Sequence, residues 1–345
     1  MIRRILFGTL ALAPLVVVLH YAANLPETVE FVLAALALVP LAWLIGEATE
    51  HAAEHTGPGI GGFLNATFGN APELIIALLA LNQGLTEVVR GSLTGSVVSN
   101  LLLVLGAALV AGGHGNLDRH STFLSFALIA FATALFLAPS VPGWHGDADR
   151  HALAVLSIPV SIVLLIVYVA VTVRSLRRHH ALHTASDEDI EAWSLSTSLV
   201  ALGLATVATA LVAEIMVGSL EAFAEKAGLS DFFVAAVIVA IVGNAAEHGG
   251  AVVVAHRGKI ALAGEIAVSS AAQVAVFLIP AVALLSWLIE PLSLSFRPVE
   301  IAALGGGVAF ASLVLWEGRT SRRRGVTLLL AYVVVAAAFF ASGNR

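Results

Sequence analysis

Glu73 and Glu247 each stand at the head of an apolar run, in the matching stretches GNAPELIIALLALNQG at 69–84 and GNAAEHGGAVVVA at 243–255. A carboxylate in a hydrocarbon setting is costly, and intramembrane acids usually mark ion pathways. Here each acid follows an Asn by three residues and a Gly by four. Glycine tolerates backbone that leaves the helix, and such a break frees carbonyl oxygens to act as ligands. Pro72, without an N–H, loosens the first break further. Calcium takes six to eight oxygens at about 2.3–2.6 Å. Glu73, Glu247 and the carbonyls around Gly69 and Gly243 could supply that set, with Asn70 and Asn244 either ligating or holding the carboxylates in place. Two bare carboxylates repel each other and lack hydration, so one divalent cation or about two protons would neutralise the same site. The empty charged site is too costly to carry across a membrane. That is the logic of an antiporter, and a channel would not need it.

A second layer of polar residues follows each motif. Ser92, Ser96, Ser99 and Asn100 fall at i, i+4, i+7 and i+8, one face of a helix, and Glu265, Ser269 and Gln273 repeat at i+4. Ser96, Asn100, Glu265, Ser269 and Gln273 are candidates for a proton path or for holding the site, although small polar residues also simply glue membrane helices together. His248, beside Glu247, could carry a proton or could merely pack. The stretch GEATEHAAEH at 46–55 contains His51, Glu54 and His55 as H-x-x-E-H, an inverted zinc-hydrolase pattern. No third-ligand motif supports it. Glu47, Glu50 and Glu54, with Glu214 and Glu221 from the second half, are instead expected to line a cytoplasmic mouth and gate it.

These residues need elements that cross a membrane. Of 345 residues, 59% are hydrophobic and only 12% charged, half the share of an average soluble domain. With no Cys, thiolate metal sites, Fe–S clusters and cysteine nucleophiles are excluded, and G-x-S-x-G is missing too. A net charge of −6 gives no sign of nucleic-acid binding, and no cofactor is implied. A span needs about 20 mainly apolar residues. Eleven segments qualify, near 5–22, 28–51, 63–83, 88–111, 121–139, 151–174, 194–224, 231–255, 260–289, 296–317 and 325–341. The first, behind Arg3 and Arg4, could alternatively be a signal peptide, but no clean cleavage site follows it. With the N-terminus inside, twelve Lys and Arg fall on inner segments and five on outer ones. That bias places the N-terminus in the cytoplasm and the C-terminus outside.

The motif recurs after roughly 174 residues, and the next helix recurs with it: GSLTGSVVSN at 91–100 parallels GEIAVSSAAQ at 264–273, pairing Ser96 with Ser269 and Asn100 with Gln273. Setting the first segment aside, each half has five spans, so the second half enters the membrane inverted. Inverted repeats place substrate and coupling ions near the midplane, where interrupted helices meet. The expected organisation is a leading helix at 1–27, a repeat at 28–174, a linker at 175–193 and a repeat at 194–345. Within the linker, Asp187, Glu188, Asp189 and Glu191 are either plain solvated charge or a cation sensor.

GNAPE with its twin GNAAEH, LIGEATE at 44–50 and GEIAVSSAAQ at 264–273 resemble the Ca2+/H+ antiporters, the cation/proton exchangers of the calcium/cation antiporter superfamily. The resemblance covers about 28–341. It implies an all-α polytopic membrane protein of eleven helices, one leading helix plus two inverted five-helix repeats. It also implies that Glu73 and Glu247 bind Ca2+ and exchange it for H+, while the helices at 28–51 and 194–224 slide to alternate access. Sodium/calcium exchangers of the same superfamily typically carry serine-rich motifs at these places, so the proton-coupled branch is the one resembled. Partners are then Ca2+, H+ and the lipid bilayer of a prokaryotic inner membrane, and self-association into a homo-oligomer is compatible with this. The same fold could exchange Na+, K+ or Mn2+.

Overall fold

The computed structural model describes residues 2–179 and 193–344. The acidic cluster at 187–191 lies outside the described residues. Two short helices lead, α1 (Ile2–Thr9) and α2 (Leu12–Ala22), followed by α3 (Glu27–Phe68) and α4 (Ala71–Asn82). Next, α5 (Thr86–Val98) passes through a π-helical stretch at Ser99–Val104 into α6 (Leu105–Gly112). A two-residue strand β1 (Gly115–Asn116), α7 (Arg119–Gly143) and α8 (His151–His179) complete the first half. The second half opens with α9 (Leu195–Gly218) and α10 (Leu220–Ala227). Then α11 (Asp231–Phe233) runs through a π-helical stretch at Val234–Val239 into α12 (Ala240–Gly243), and α13 (Ala245–His256) follows. A third π-helical stretch, Val274–Leu278, joins α14 (Ile260–Gln273) to α15 (Ile279–Leu285). Last come α16 (Pro298–Val314), strand β2 (Arg319–Thr320) and α17 (Arg322–Ser342).

Helix starts are set by side chains that accept a hydrogen bond from an otherwise orphaned backbone N–H. Asp118 caps α7 through Ser121 N, Ser194 caps α9 through Thr197 N and Ser321 caps α17 through Arg324 N. Among the described residues seven helices are long and apolar enough to cross a membrane, or eight if the pair Leu220–Ala227 and Asp231–Gly243, bent by 111°, forms one span. Three shorter apolar helices, Leu6–Ala22, Ala71–Asn82 and Pro298–Val314, account for other expected segments.

Three expectations are corrected. The segment at 63–83 is not a separate helix: α3 continues through Gly57, Pro58 and Gly59 to Phe68, and the break comes only at Gly69–Asn70. Proline and glycine are tolerated inside membrane helices because neighbouring groups satisfy the freed backbone. The segment at 194–224 ends at Gly218, and the one at 231–255 is broken at Asn244. The described chain is otherwise all-helical as expected, its strands being the two-residue pair β1 and β2, which run antiparallel.

The centre is α5, whose residues Val88–Val98 are all buried, as befits a helix surrounded by others. Small residues let a neighbour approach. A Cβ on Gly95 would overlap the carbonyl of Ala236, and one on Gly91 would sit 3.0 Å from the Phe232 ring. The π-helical stretch at 234–239 therefore crosses α5 at backbone contact. On one flank α3 and α9 pack antiparallel along their lengths: His55 of α3 meets Trp193 at the start of α9, while Glu27 and Glu30 share a pocket with Glu214 and Gly218 at its end.

Candidate ion site

Both motif helices break at the Asn. Asn70 has φ −100° and ψ 14°, Asn244 has φ −94° and ψ 12°, and each is followed at once by a new helix. Glu73 and Glu247 fall in the first turns of α4 and α13. There the positive end of the helix dipole favours a carboxylate, while the carbonyl ends of α3 and α12 favour a cation. Pro72 offers no N–H, so the helical bond it would make to the carbonyl of Phe68 is missing. Neither motif glycine has positive φ. Conformational freedom is therefore not what position 243 requires. Gly243 is buried and the Glu73 side chain lies on it, with a Cβ there falling 3.2 Å from Glu73 Cγ and 3.8 Å from Cδ. The break of one motif thus touches the acid of the other.

A hydrogen-bonded chain surrounds this contact. Ser270 donates to Glu247 Oε2 and accepts from Asn100 Nδ2 at 3.0 Å. Asn100 Nδ2 also donates to Asn244 Oδ1 at 3.0 Å. Asn244 in turn donates to Ser96 Oγ and to the Ala240 carbonyl, both at 2.8 Å. On the other side Asn70 donates to Gln273 Oε1 at 3.4 Å. So each motif Asn is held by the amide of the helix that follows the opposite motif. Glu73 is only 7% exposed, and its Oε2 is buried without a hydrogen-bond partner. It borders a cavity of about 10 Å³ lined also by Ser92, Ser96 and Val239, room for about one water. The two carboxylates lie within electrostatic reach of one another.

With this geometry in view, the relatives decide the family. The model of the sodium/calcium exchanger protein family matches residues 27–177 and 197–341. A Ca2+/H+ antiporter of Aphanothece halophytica is 35% identical over 97% of this chain and 96% of its own. The Ca2+/H+ antiporter ChaA of Bacillus subtilis is 36% identical over 98% and 99%. Among solved structures, native YfkE superposes with a TM-score of 0.83 at 34% identity, covering 97% of this chain and 99% of the other. The chain belongs to the Ca2+/H+ antiporter family. It is accordingly an integral membrane transporter protein and not an enzyme.

In this antiporter-family member the site gathers Glu73, Glu247, Asn70, Asn244, Gly243, Ser96, Asn100 and Gln273, with Gly69 in the turn beside Asn70. His248 is half-buried, with Nε2 shielded and without a hydrogen-bond partner. Two expected members are elsewhere. Glu265 is exposed and accepts from Ser121 at 3.2 Å, and Ser269 donates to the Ile266 carbonyl at 3.4 Å. The inward face of α14 carries Ser270 and Gln273, one helical step away from the 265–269 line. Ser270 adjoins Ser269 in SSAAQ, and counting the repeat as 174 rather than 173 residues would have matched it with Ser96.

The gating acids divide between two ends. Glu47, Glu50 and Glu54 stand with His51 and His55 beside Trp193, whereas Glu214 lines a pocket of about 310 Å³ with His20, Glu27, Glu30 and Gln83 at the opposite end of α9. Glu221, exposed on α10 just beyond Gly218, belongs to that second end. A single mouth for all five is therefore incorrect, because the length of α9 separates the two groups. The zinc arrangement is also not formed. His51 Nε2 faces Glu47 at 3.6 Å, its Nδ1 faces Glu54 at 3.6 Å, its ring stacks on Trp193, and His55 Nε2 meets the Trp193 carbonyl at 2.7 Å. The two imidazoles do not converge on one point.

Buried charge that the sequence reading passed over lies around α5 and α16. Arg90, 1% exposed, forks onto Asp149 at 2.6 and 3.2 Å, and Arg297 lies 3.6 Å over the Phe232 ring. Glu300 accepts from Thr94 at 3.0 Å and from Arg297 N at 2.7 Å. An arginine inside an apolar run was the available signal for Arg90.

Proposed function

We propose that the protein exchanges Ca2+ for H+ by alternating access, with Glu73 and Glu247 binding either Ca2+ or protons. The contact of Glu73 with Gly243 carries this reading, because it brings both acids and both helix breaks to one water-poor place. The oxygens of Glu73, Glu247, Asn70 and Asn244, with carbonyls at the ends of α3 and α12, are the hard donors that Ca2+ prefers. The names of the relatives support Ca2+ and H+ as the exchanged pair.

The arrangement of the spans is proposed as one leading helix plus two inverted five-helix repeats, at 28–174 and 194–345. Three matches support it: the near-equal dihedral angles at Asn70 and Asn244, the π-helical stretches at Ser99–Val104 and Val274–Leu278, and the reciprocal pairs Asn70–Gln273 and Asn244–Asn100. The N-terminus is cytoplasmic and the C-terminus external, in a prokaryotic inner membrane. The test is Ca2+ uptake into inverted membrane vesicles under an imposed pH gradient. Uptake should stop when the gradient is collapsed and in either Glu73→Gln or Glu247→Gln. Uptake that survives collapse defeats the exchange reading, and a fully active Glu73→Gln protein defeats the site.

A further inference from the structure

We propose that the basic face gathered around the β1–β2 ribbon is a docking surface for the headgroups of anionic phospholipids. Three connections meet there, α6–α7, α13–α14 and α16–α17. Gly115 pairs with Thr320 and Asn116 with Arg319, Leu117 N donates to the Gly318 carbonyl at 2.8 Å, and Thr320 Oγ1 donates to the Gly113 carbonyl at 2.9 Å. The α13–α14 connection joins through Ile260, whose side chain packs on Gly112 and Gly115. Arg119 packs its stem on Gly318. The ribbon thus fastens three loops into one platform.

The platform exposes Arg119, Arg257, Lys259, Arg319, Arg322 and Arg323. Of these, Arg119, Arg257, Lys259, Arg322 and Arg323 have no ion-pair partner among the described residues. The neighbouring acids, Asp118, Glu265 and Glu317, are three against these six cations and Arg324. Glu317 accepts from Arg324 at 2.9 Å and is thereby held below the ordinary carboxylate range, Asp118 caps α7, and Glu265 accepts from Ser121. The face therefore has spare positive charge, and an anionic partner fits it.

What selects lipid is the rim. Trp316 is 65% exposed and Leu313 is 74% exposed, directly before the basic turn, and Phe123 meets Trp316 edge-on at 5.9 Å. Immediately after it α17 begins as an apolar span. Tryptophan beside cations at the end of an apolar helix marks the headgroup level of a bilayer. The unpaired guanidinium groups then stand where lipid phosphates are. Each Lys or Arg near an anionic surface is worth about fivefold in partitioning. The middle of α3 has the opposite character, with Glu47, Glu50 and Glu54, so lipid would seat the platform without covering the acidic entrance.

The test is independent of ion exchange. Full-length protein in neutral detergent is titrated with short-chain phosphatidylglycerol, phosphatidylcholine or inorganic phosphate, reading the melting temperature. Phosphatidylglycerol should raise it in a salt-sensitive way, and the other two should not. In Arg257→Gln/Lys259→Gln/Arg322→Gln/Arg323→Gln the apparent phosphatidylglycerol affinity should fall at least tenfold, with melting in phosphatidylcholine unchanged. If that variant does not fold, Arg322→Gln/Arg323→Gln should still lose severalfold. Undiminished affinity in a folded variant, or equal effects of the two lipids, overturns the proposal. An equal effect of inorganic phosphate makes this a free-anion site and also overturns it.

Discussion

Gly243 supports the side chain of Glu73 from the opposite motif, leaving 3.2 Å between Glu73 Cγ and the place a Cβ would occupy. At that separation alanine fits only if Glu73 moves by a few tenths of an ångström. Calcium ligation demands oxygens at about 2.3–2.6 Å, so a small displacement of one carboxylate is felt. Gly243→Ala should weaken Ca2+ uptake by about tenfold while costing about 1 kcal/mol in stability. Gly249→Ala, on the next helix α13 with open space around it, is the control and should be near neutral. Equal uptake in the two variants, measured in vesicles at matched expression, would show that the contact does not matter.

Ser270 and Ser269 separate the observed register from the one the repeat suggested. Ser270 bridges Glu247 and Asn100, whereas Ser269 bonds only its own helix. A hydrogen bond to a charged group is worth about 1.5–3 kcal/mol. Ser270→Ala should therefore cut uptake by tenfold or more, and Ser269→Ala should stay within about twofold. Transport assays on the two alanine variants decide it, and the reverse ranking would sink the assignment.

The site was legible where the chain repeats itself. Glu73, Asn70, Glu247 and Asn244 could be found because the same spacing occurs twice and the membrane makes each acid conspicuous. Their partner Gln273 followed from the same alignment, but Ser270 did not. A shift of one residue turns a helix by 100°, and the repeat tolerates that slip where π-helical stretches absorb residues. The two-ended distribution of Glu47 and Glu214 was not legible, because acids alone carry no sign of side. The run of α3 past Gly57–Pro58–Gly59 was not legible, because local breakers in a membrane bundle are overruled by their neighbours. Nor was the ribbon, whose two-residue strands have no pattern to read.

Arg90 makes Asp149 matter more than its own exposure implies. The Asp149 side chain is 41% exposed, but the guanidinium it holds is 1% exposed. Asp149 supplies the forked, charge-assisted bonds to that guanidinium while Glu87 stands farther off at 3.8 Å, so losing the Asp149 charge costs about 1.5–3 kcal/mol. Asp149→Asn should speed thermal inactivation in detergent markedly. Glu317→Gln, which breaks the exposed pair with Arg324, should leave the rate unchanged. Similar rates for the two variants would mean that Arg90 finds another partner.

Competition between Ca2+ and protons has a definite sign. A protonated carboxylate is a poor ligand, so Ca2+ binding at Glu73 and Glu247 must release whatever protons they hold. Lowering the pH therefore weakens apparent Ca2+ affinity. Where both acids are protonated before binding, the loss approaches about a hundredfold per pH unit. It falls to about tenfold where one is protonated, and vanishes where both are ionised. Calorimetric Ca2+ titrations of purified protein across pH should trace this curve, with proton release revealed by repeating them in buffers of different ionisation enthalpy. A wild-type affinity independent of pH, with no proton released, would separate the two acids from H+ and remove the coupling that exchange requires.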